Sequence, residues 1–455
     1  MKSIVMAALV ASAVVAASTF PQEFYGYIPQ NVAYNSNFFY AIRGNSNATF
    51  RQSAPLVLFL QGGPGATSLF SDYLETGPEK LILSSTAPGG YALVEREHAW
   101  TNHANMLYVD NPIGTGFSYT DDPRGFSTDD NEIANNLVDF LTKFLAIHTE
   151  YATTPFWVFC ESYGGKMTAY FGAALAQAIA KGSISVNFKG VALGDGWVDP
   201  IDCMYSYAPY LTTFSQVNPA QAKEITQMAS YAQNALEQGN GTQATNWWGN
   251  QQSYISLVTD NLNWYNSLYY YDYTADNQLD VFLATNFTQK LGNTIPAGVS
   301  YNNQSNDVFA YMGGSFMKDG ITQVKNILDA GYQVNIYTGQ VDLIVDVDCM
   351  NAWVQKLNWP YLDAFYASPR NALQLPNDLN AGGFVQSANN LTIWNINKAG
   401  HMVPLDNPPY AELMMATIVG SEGAKDIKIT EQDKAAMREG PFHRRAAKTS
   451  AKRGV

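Results

Sequence analysis

The sequence predicts an α/β protein: a mainly parallel central sheet covered by helices on both faces, with a helical insertion in its second half. Three observations carry this. From Pro55 onward, short apolar runs alternate with segments of helical periodicity, the pattern of strands buried on both faces. Hydrophobic residues make up 46% of the 455 and charged residues only 14%, which supplies an extended core and argues against disorder over most of the length. Between about Asp199 and Ser305 the alternation lapses and Asn, Gln, Tyr and Trp accumulate, as expected of a segment laid over the sheet's edge.

The elements follow in order. Residues 55–60 (PLVLFL) form a strand that breaks into Gln61-Gly62-Gly63-Pro64-Gly65, and residues 105–110 (NMLYVD) form another. Ile133, Leu137, Phe140, Leu141, Phe144 and Leu145 recur at helical spacing, with Ser127 and Asp130 as a capping pair. Residues 156–160 read as a strand and 167–179 as an Ala-rich helix; 188–193, 333–337 and 391–396 are further strands. Inside the insertion, helices are expected over 219–236 and 253–268. The resulting organisation is a leader (1–18), a first core part (19–198), a helical cap (199–305), a second core part (306–420) and a basic extension (421–455).

Lys2 followed by the apolar run 4–17 and small residues reads as a secretory leader, too short to span a bilayer comfortably. Five Asn-x-Ser/Thr sequons, at Asn47, Asn240, Asn286, Asn303 and Asn390, are glycosylation candidates and agree with a secretory route. The expected destination is extracellular, lysosomal or vacuolar. A formal net charge of −13 argues against nucleic acid or an anionic membrane as the main partner. Of three cysteines, Cys160 reads as a small buried hydrophobe inside a strand, while Cys203 and Cys349 are the two that can pair. Arg444, Arg445, Lys448, Lys452 and Arg453 make the tail basic, a solvated end or a removable extension.

Ser162 stands between a strand and a helix in Phe159-Cys160-Glu161-Ser162-Tyr163-Gly164-Gly165, the context of a nucleophile elbow whose tight turn demands small neighbours. Gly164 meets that demand; Cys160 replaces the usual glycine. Of five histidines, His401 follows the strand 391–396 and so reaches the same sheet edge as Ser162. His148 and His443 are more simply solvated, and His98 and His103 bracket Trp100 in a loop. The acid is expected after the preceding strand, at Asp342, with Asp346 and Asp348 as neighbours further into the next helix. The order Ser, Asp, His is that of the α/β-hydrolase fold. The glycine-rich loop after the first strand lets backbone amides face a developing oxyanion, with Gly63 and Tyr163 as the pair. The histidines lack metal-ligand spacing, so neither metal nor cofactor is expected.

Five blocks in register then resemble the serine carboxypeptidase family, most closely its retinoid-inducible branch: Gln61-Gly62-Gly63-Pro64-Gly65, Val109-Asp110-Asn111-Pro112-Ile113-Gly114-Thr115-Gly116-Phe117-Ser118-Tyr119, Glu161-Ser162-Tyr163-Gly164-Gly165-Lys166, Gly339-Gln340-Val341-Asp342-Leu343-Ile344-Val345-Asp346 and Gly400-His401-Met402-Val403-Pro404. The resemblance implies hydrolysis at free peptide C-termini, with the substrate carboxylate held by Gln61, Gly62 and Glu161 and with activity favoured at acidic pH, where Glu161 keeps its proton. Three departures are visible. Gln61 stands for the family's usual Asn, Ala66 for a frequent Cys, and Leu74-Glu75-Thr76-Gly77-Pro78 holds one acid where the family commonly has adjacent glutamates. With one acid remaining there, this stretch leaves the paired-carboxyl device for the substrate terminus open. Two alternatives use the same residues differently: ester hydrolysis or acyl transfer on the same triad, and a secreted binding partner with a vestigial one. Oligomeric state is not specified by the sequence; a homodimer is compatible with it.

Overall fold

The computed structural model describes residues 20–420, apart from 271–273, 303, 377 and 379–380. The expected leader, the basic extension and the sequon at Asn303 lie outside the described residues. In chain order the strands are β1 (Glu23–Asn31), β2 (Ser36–Arg43), β3 (Leu56–Leu60), β4 (Glu79–Leu83), β5 (Tyr91–Glu95), β6 (Asn105–Val109), β7 (Pro155–Glu161), β8 (Asn187–Gly194), β9 (Gln333–Gly339), β10 (Arg370–Leu373), β11 (Gly383–Ala388) and β12 (Leu391–Ile396).

Ten of them form one sheet in the order β1-β2-β6-β3-β7-β8-β9-β12-β11-β10, and β4 and β5 form a separate hairpin. The centre, β6-β3-β7-β8-β9-β12, is parallel, and an antiparallel pair closes each edge. All six central strands are those the apolar runs predict. Apolar and polar residues mix along most of the edge strands and the hairpin, and β1, for example, is exposed or half-buried at every position but Ile28; β2 is the exception, a buried apolar run (Phe38–Ile42) that the sequence reading did not identify.

Strand alternation divides the core. Leu56, Leu58, Leu60, Phe156 and Val158 face the helices Asp130–Ile147 and Gly164–Ala180, while Val57, Phe59, Trp157 and Phe159 face the side covered by the helix Pro408–Val419. Two local expectations are corrected. The cap of the helix Asp130–Ile147 is Asp129, whose Oδ1 accepts from the amides of Asn131 (2.8 Å) and Glu132 (3.0 Å); Asp130 is buried and Ser127 receives Asn136 instead. The helix expected over 253–268 is Gly241–Val258, started by the Asn240 side chain on the Gln243 amide. It stops because Asp260 and Asn261 take left-handed backbone (φ 55° and 60°), which cannot continue a right-handed helix.

The segment between β8 and β9 carries the helices Pro200–Thr213, Pro219–Glu237 and Gly241–Val258, then shorter turns and the helix Asn306–Met312. Cys203 on the first of these is bonded to Cys349 on the helix Val347–Gln355, with Cα atoms 4.4 Å apart. The bond ties the start of the insertion to the element after β9 and closes a separation of 146 residues. Replacing both cysteines by alanine is expected to cost about 2–5 kcal/mol of stability, read as a lowered midpoint in denaturant unfolding, with the reduced wild type shifting by a similar amount.

Candidate active site

Loops leaving the carboxyl ends of β3, β7, β8, β9 and β12 converge on one cavity of about 720 Å³, lined among others by Gln61, Gly63, Glu161, Ser162, Tyr163 and His401. This is where ligands bind in open parallel sheets. Ser162 follows β7 with φ of 64°, a left-handed backbone that serine adopts only when its surroundings hold it. They do: its amide donates to the Gly194 carbonyl (3.0 Å), and its own carbonyl accepts from Gly165 (2.8 Å) and Trp197 (2.9 Å). A Cβ at Gly164 would sit 2.4 Å from the Leu60 carbonyl oxygen, so the elbow's far side requires glycine. On the near side Cys160 turns its thiol inward, donating to the Ala192 carbonyl (3.4 Å), fully buried and unpaired with another cysteine. Burial pushes the thiol up to about 12, which leaves it unreactive.

His401 and Asp342 meet as expected. Nδ1 of His401 lies 2.7 Å from Oδ2 of Asp342, whose Oδ1 accepts from the amides of Ile344 (2.9 Å) and Val345 (3.3 Å). The His401 amide is anchored on the Tyr265 carbonyl (2.6 Å). Asp342 accepts the hydrogen bond of the Nδ1–H tautomer, which leaves the lone pair on Nε2; Nε2 has no protein partner among the described residues. Asp346 is the cap of the following helix, receiving Cys349 N and Ser206 Oγ. Asp195, Asp342 and His401 place ligand-type atoms within 4.8 Å of one another, yet the 2.7 Å contact is a direct hydrogen bond between two of them, the spacing of a shared proton rather than of two ligands around an ion.

Tyr163 caps the helix Gly164–Ala180, so its amide is among those a helix start leaves without an intrahelical acceptor. Gly62 packs against the nucleophile: a Cβ there would lie 2.9 Å from Ser162 Oγ and 2.8 Å from the Tyr163 amide nitrogen. The glycine loop thus lies directly against Ser162 and the Tyr163 amide at the start of that helix.

The structure supplies the carboxyl arrangement that the sequence leaves open. Glu161 does have a carboxyl neighbour, Glu75; both are buried, and Glu75 Oε1 and Glu161 Oε2 accept from no donor among the described residues, as suits two acids that share a proton. Burial comes first, and for Glu161 the charge of Glu75 next, in holding both above the ordinary carboxylate range, Glu161 well above it. Ser71 Oγ donates to Glu75 Oε2 (2.6 Å) and accepts from Gln61 Nε2 (3.2 Å). Gln61 Oε1 in turn accepts the Gly62 amide (2.8 Å), the use to which the longer side chain is put. A π-helical turn, Ser71–Thr76, points Glu75 inward, and Arg96 holds that turn through the carbonyls of Tyr73, Leu74 and Gly77. The sequence singles out Glu75 as the remaining acid but not its meeting with Glu161, because one acid in a short run carries no sign of a partner distant in the chain.

The other described histidines lie elsewhere. His148 is buried rather than solvated, against Tyr40 OH (2.8 Å) and Glu150 (3.2 Å), and burial lowers its pKa. His98 and His103 share Glu412 (2.7 and 3.0 Å). Of the sequons, Asn47, Asn240 and Asn286 are exposed. Asn390 commits its Nδ2, the atom a glycan would occupy, to the carbonyls of Leu328 (2.9 Å) and Tyr332 (2.7 Å).

Comparison with known proteins agrees with this geometry. The serine carboxypeptidase family profile matches residues 16–421. The retinoid-inducible serine carboxypeptidase of Homo sapiens is 37% identical over 394 residues, 81% of this chain and 85% of that protein. The venom serine carboxypeptidase of Apis mellifera is 30% identical over 407 residues, 88% of this chain and 84% of that protein. A crystal structure of a prohormone-processing carboxypeptidase from Saccharomyces cerevisiae shares the fold with a TM-score of 0.76 at 21% identity, covering 90% of this chain and 93% of that one. A parallel sheet with an elbow serine, a match spanning nearly all the described residues and relatives above 30% identity lead to one conclusion: the chain belongs to the serine carboxypeptidase family, hydrolases of the α/β-hydrolase fold.

Proposed function

We propose that Ser162, His401 and Asp342 release C-terminal residues from peptides through an acyl-enzyme. Ser162 Oγ attacks the scissile carbonyl carbon while His401 Nε2 takes its proton, Asp342 orienting the imidazole and balancing its charge. The Gly63 and Tyr163 amides receive the developing oxyanion. His401 then returns the proton to the leaving amino group, and water repeats the sequence to free the acyl group. The observation that carries the exopeptidase reading is the buried Glu75–Glu161 pair beside Ser162, which burial holds above the ordinary carboxylate range and so in favour of the protonated form. An O–H donor in a dry site recognises a substrate carboxylate, whereas a charged pair repels it. Gln61 and Gly62 complete that anchor once a substrate oxygen replaces their internal hydrogen bond.

The segment 199–305 serves as a roof: Trp248, Gln252, Asn263 and Tyr265 from it face the cavity, together with Phe309 and Phe316 just beyond. This largely aromatic wall favours apolar side chains. The leader, the exposed sequons and the raised carboxyl pair support passage through the secretory route to an extracellular or acidic compartment. Among the described residues no helix is long and apolar enough to cross a membrane.

The test is release of free amino acids from a peptide library between about pH 4 and about pH 8, with Ser162→Ala as control. Release is expected at acidic pH, from apolar C-terminal sequences above all. The same peptides with amidated C-termini are expected to be cleaved about a hundredfold less efficiently, since the anchor loses its charged acceptor. Equal cleavage of amidated peptides would refute the anchor. Labelling of Ser162 by a fluorophosphonate without any release would indicate a different acyl substrate, and silence in both assays a binding partner with a vestigial triad.

A further inference from the structure

The loop after β8 adds a third group to the buried face of the triad. Asp195, in Gly194-Asp195-Gly196, is 0% exposed and holds φ of 40°. Its Oδ1 accepts the Gly339 amide (2.9 Å), while its Oδ2 is buried and receives no donor among the described residues. One atom each of Asp195, Asp342 and His401 lies within 4.8 Å of the others. Two ionised carboxylates facing each other in a dry space against one imidazole are unfavourable, so one of them keeps a proton.

Hydrogen bonding decides which. Asp342 accepts from Ile344, Val345 and His401; Asp195 accepts from Gly339. Donors stabilise the anion they point at, so Asp342 carries the charge and Asp195 the proton. That proton also answers the orphaned oxygen: as an O–H group, Oδ2 becomes a donor with Asp342 as its acceptor.

We propose that Asp195 is a positioning residue of the triad, a neutral carboxylic acid whose Oδ2–H donates to the Asp342 carboxylate and fixes the orientation in which Asp342 meets His401. The inference rests on the assignment of Ser162, His401 and Asp342 above. Burial first, then the charge of Asp342, hold the Asp195 pKa well above the ordinary carboxylate range. The groups that face it are Asp342 and His401 from the loops after β9 and β12, Asp406 from the turn Val403–Asp406, Glu161 and Cys160 at the end of β7, and Tyr337 of β9. Of these only His401 can become a cation, so nothing else in that set favours the ionised form. As pH rises and Asp195 ionises, the donor is replaced by a like charge and Asp342 loses its fixed orientation.

The readout is the rate at which a fluorophosphonate acylates Ser162, which needs no substrate carboxylate and is therefore blind to the Glu75–Glu161 anchor. It is measured from about pH 4 to about pH 8 on the full chain, alongside peptide kinetics and thermal unfolding. Ionisation of Asp195 is expected to appear in wild type as a rate that falls toward alkaline pH relative to D195N. D195N keeps a donor toward Asp342 and an acceptor for Gly339 but cannot ionise; its rate should be lower at acidic pH by less than about tenfold. D195A, with no donor, should label at least about tenfold more slowly at every pH. In peptide hydrolysis both variants should move kcat with little change in KM. A wild-type rate that does not fall relative to D195N, or a folded D195A that labels at the wild-type rate, would overturn the proposal. Where D195A does not fold, the D195N profile alone decides. A folded wild type that does not label at Ser162 at any pH would refute the triad assignment itself, and this inference with it.

Discussion

Ser162→Ala is expected to lower kcat for C-terminal release by about 10⁶ with KM within about threefold of wild type. The size follows from the machinery left behind. Without Oγ there is no acyl-enzyme, and the Gly63 and Tyr163 amides and the carboxylate anchor can only assist direct attack by water. The anchor groups Glu75, Glu161, Gln61 and Gly62 make no hydrogen bond to the serine hydroxyl, so binding should survive. Stability should survive as well, because the turn is held by backbone bonds from Ser162 N and O. Removing His401 in addition should cost little more, since the two groups act as one unit. The checks are kcat and KM on a single peptide, fluorophosphonate labelling and a thermal melt. A loss below about 10² with intact folding would mean that another nucleophile does the work. Cys160 is a poor candidate, since burial keeps it a neutral thiol.

The three residues proposed as the triad are legible in the sequence because each lies beside a strong local signal. Ser162 sits between an apolar strand and an Ala-rich helix, and Asp342 and His401 each follow a short run of buried apolar residues. Parallel strands bury both faces, so their apolar runs are continuous and their carboxyl ends can be located to within a residue or two. What the sequence hides are contacts made across the sheet. Glu75 sits on a π-helical turn whose inward direction depends on Arg96 reaching back to it. Asp195 differs from an ordinary loop aspartate only because Gly339 and Asp342 come from the adjacent strand's end. Cys203 and Cys349 were recognisable as the pair that could bond, but only the packing of two helices brings their Cα atoms to 4.4 Å. The helix misplaced at 253–268 failed for a different reason. Aromatic and polar residues mix along it, and its real boundaries are set by Asn240 and the left-handed Asp260 and Asn261.

Raising the pH from about 5 to about 8 is expected to raise KM for peptides by about 10- to 100-fold while kcat changes less, and Glu161→Gln should flatten that rise. The sign follows from the raised pKa values of Glu75 and Glu161. Below them the pair holds its protons and donates to the substrate carboxylate; above them the donor is lost and a negative charge faces another. Glutamine donates without titrating, so the variant keeps an anchor, with residual dependence due to Glu75, and Glu75→Gln with Glu161→Gln should remove it. Stability carries the same signature. A carboxyl whose folded pKa is raised binds more protons in the folded state than in the unfolded one between the two values, so stability falls as pH rises through that window. Asp110, pushed up to about 6, and Asp346, pushed up to about 8, add to the pair in the same direction. His148, lowered by burial, opposes them on the acidic side. The melting temperature should therefore decline from mildly acidic pH toward pH 8, and Glu161→Gln should melt higher than wild type at the alkaline end, where wild type must bury a charge. A KM that climbs with pH in the variant as steeply as in wild type would mean that the substrate carboxylate is recognised elsewhere. A flattened KM without the gain in alkaline stability would mean that Glu161 ionises only when substrate is bound.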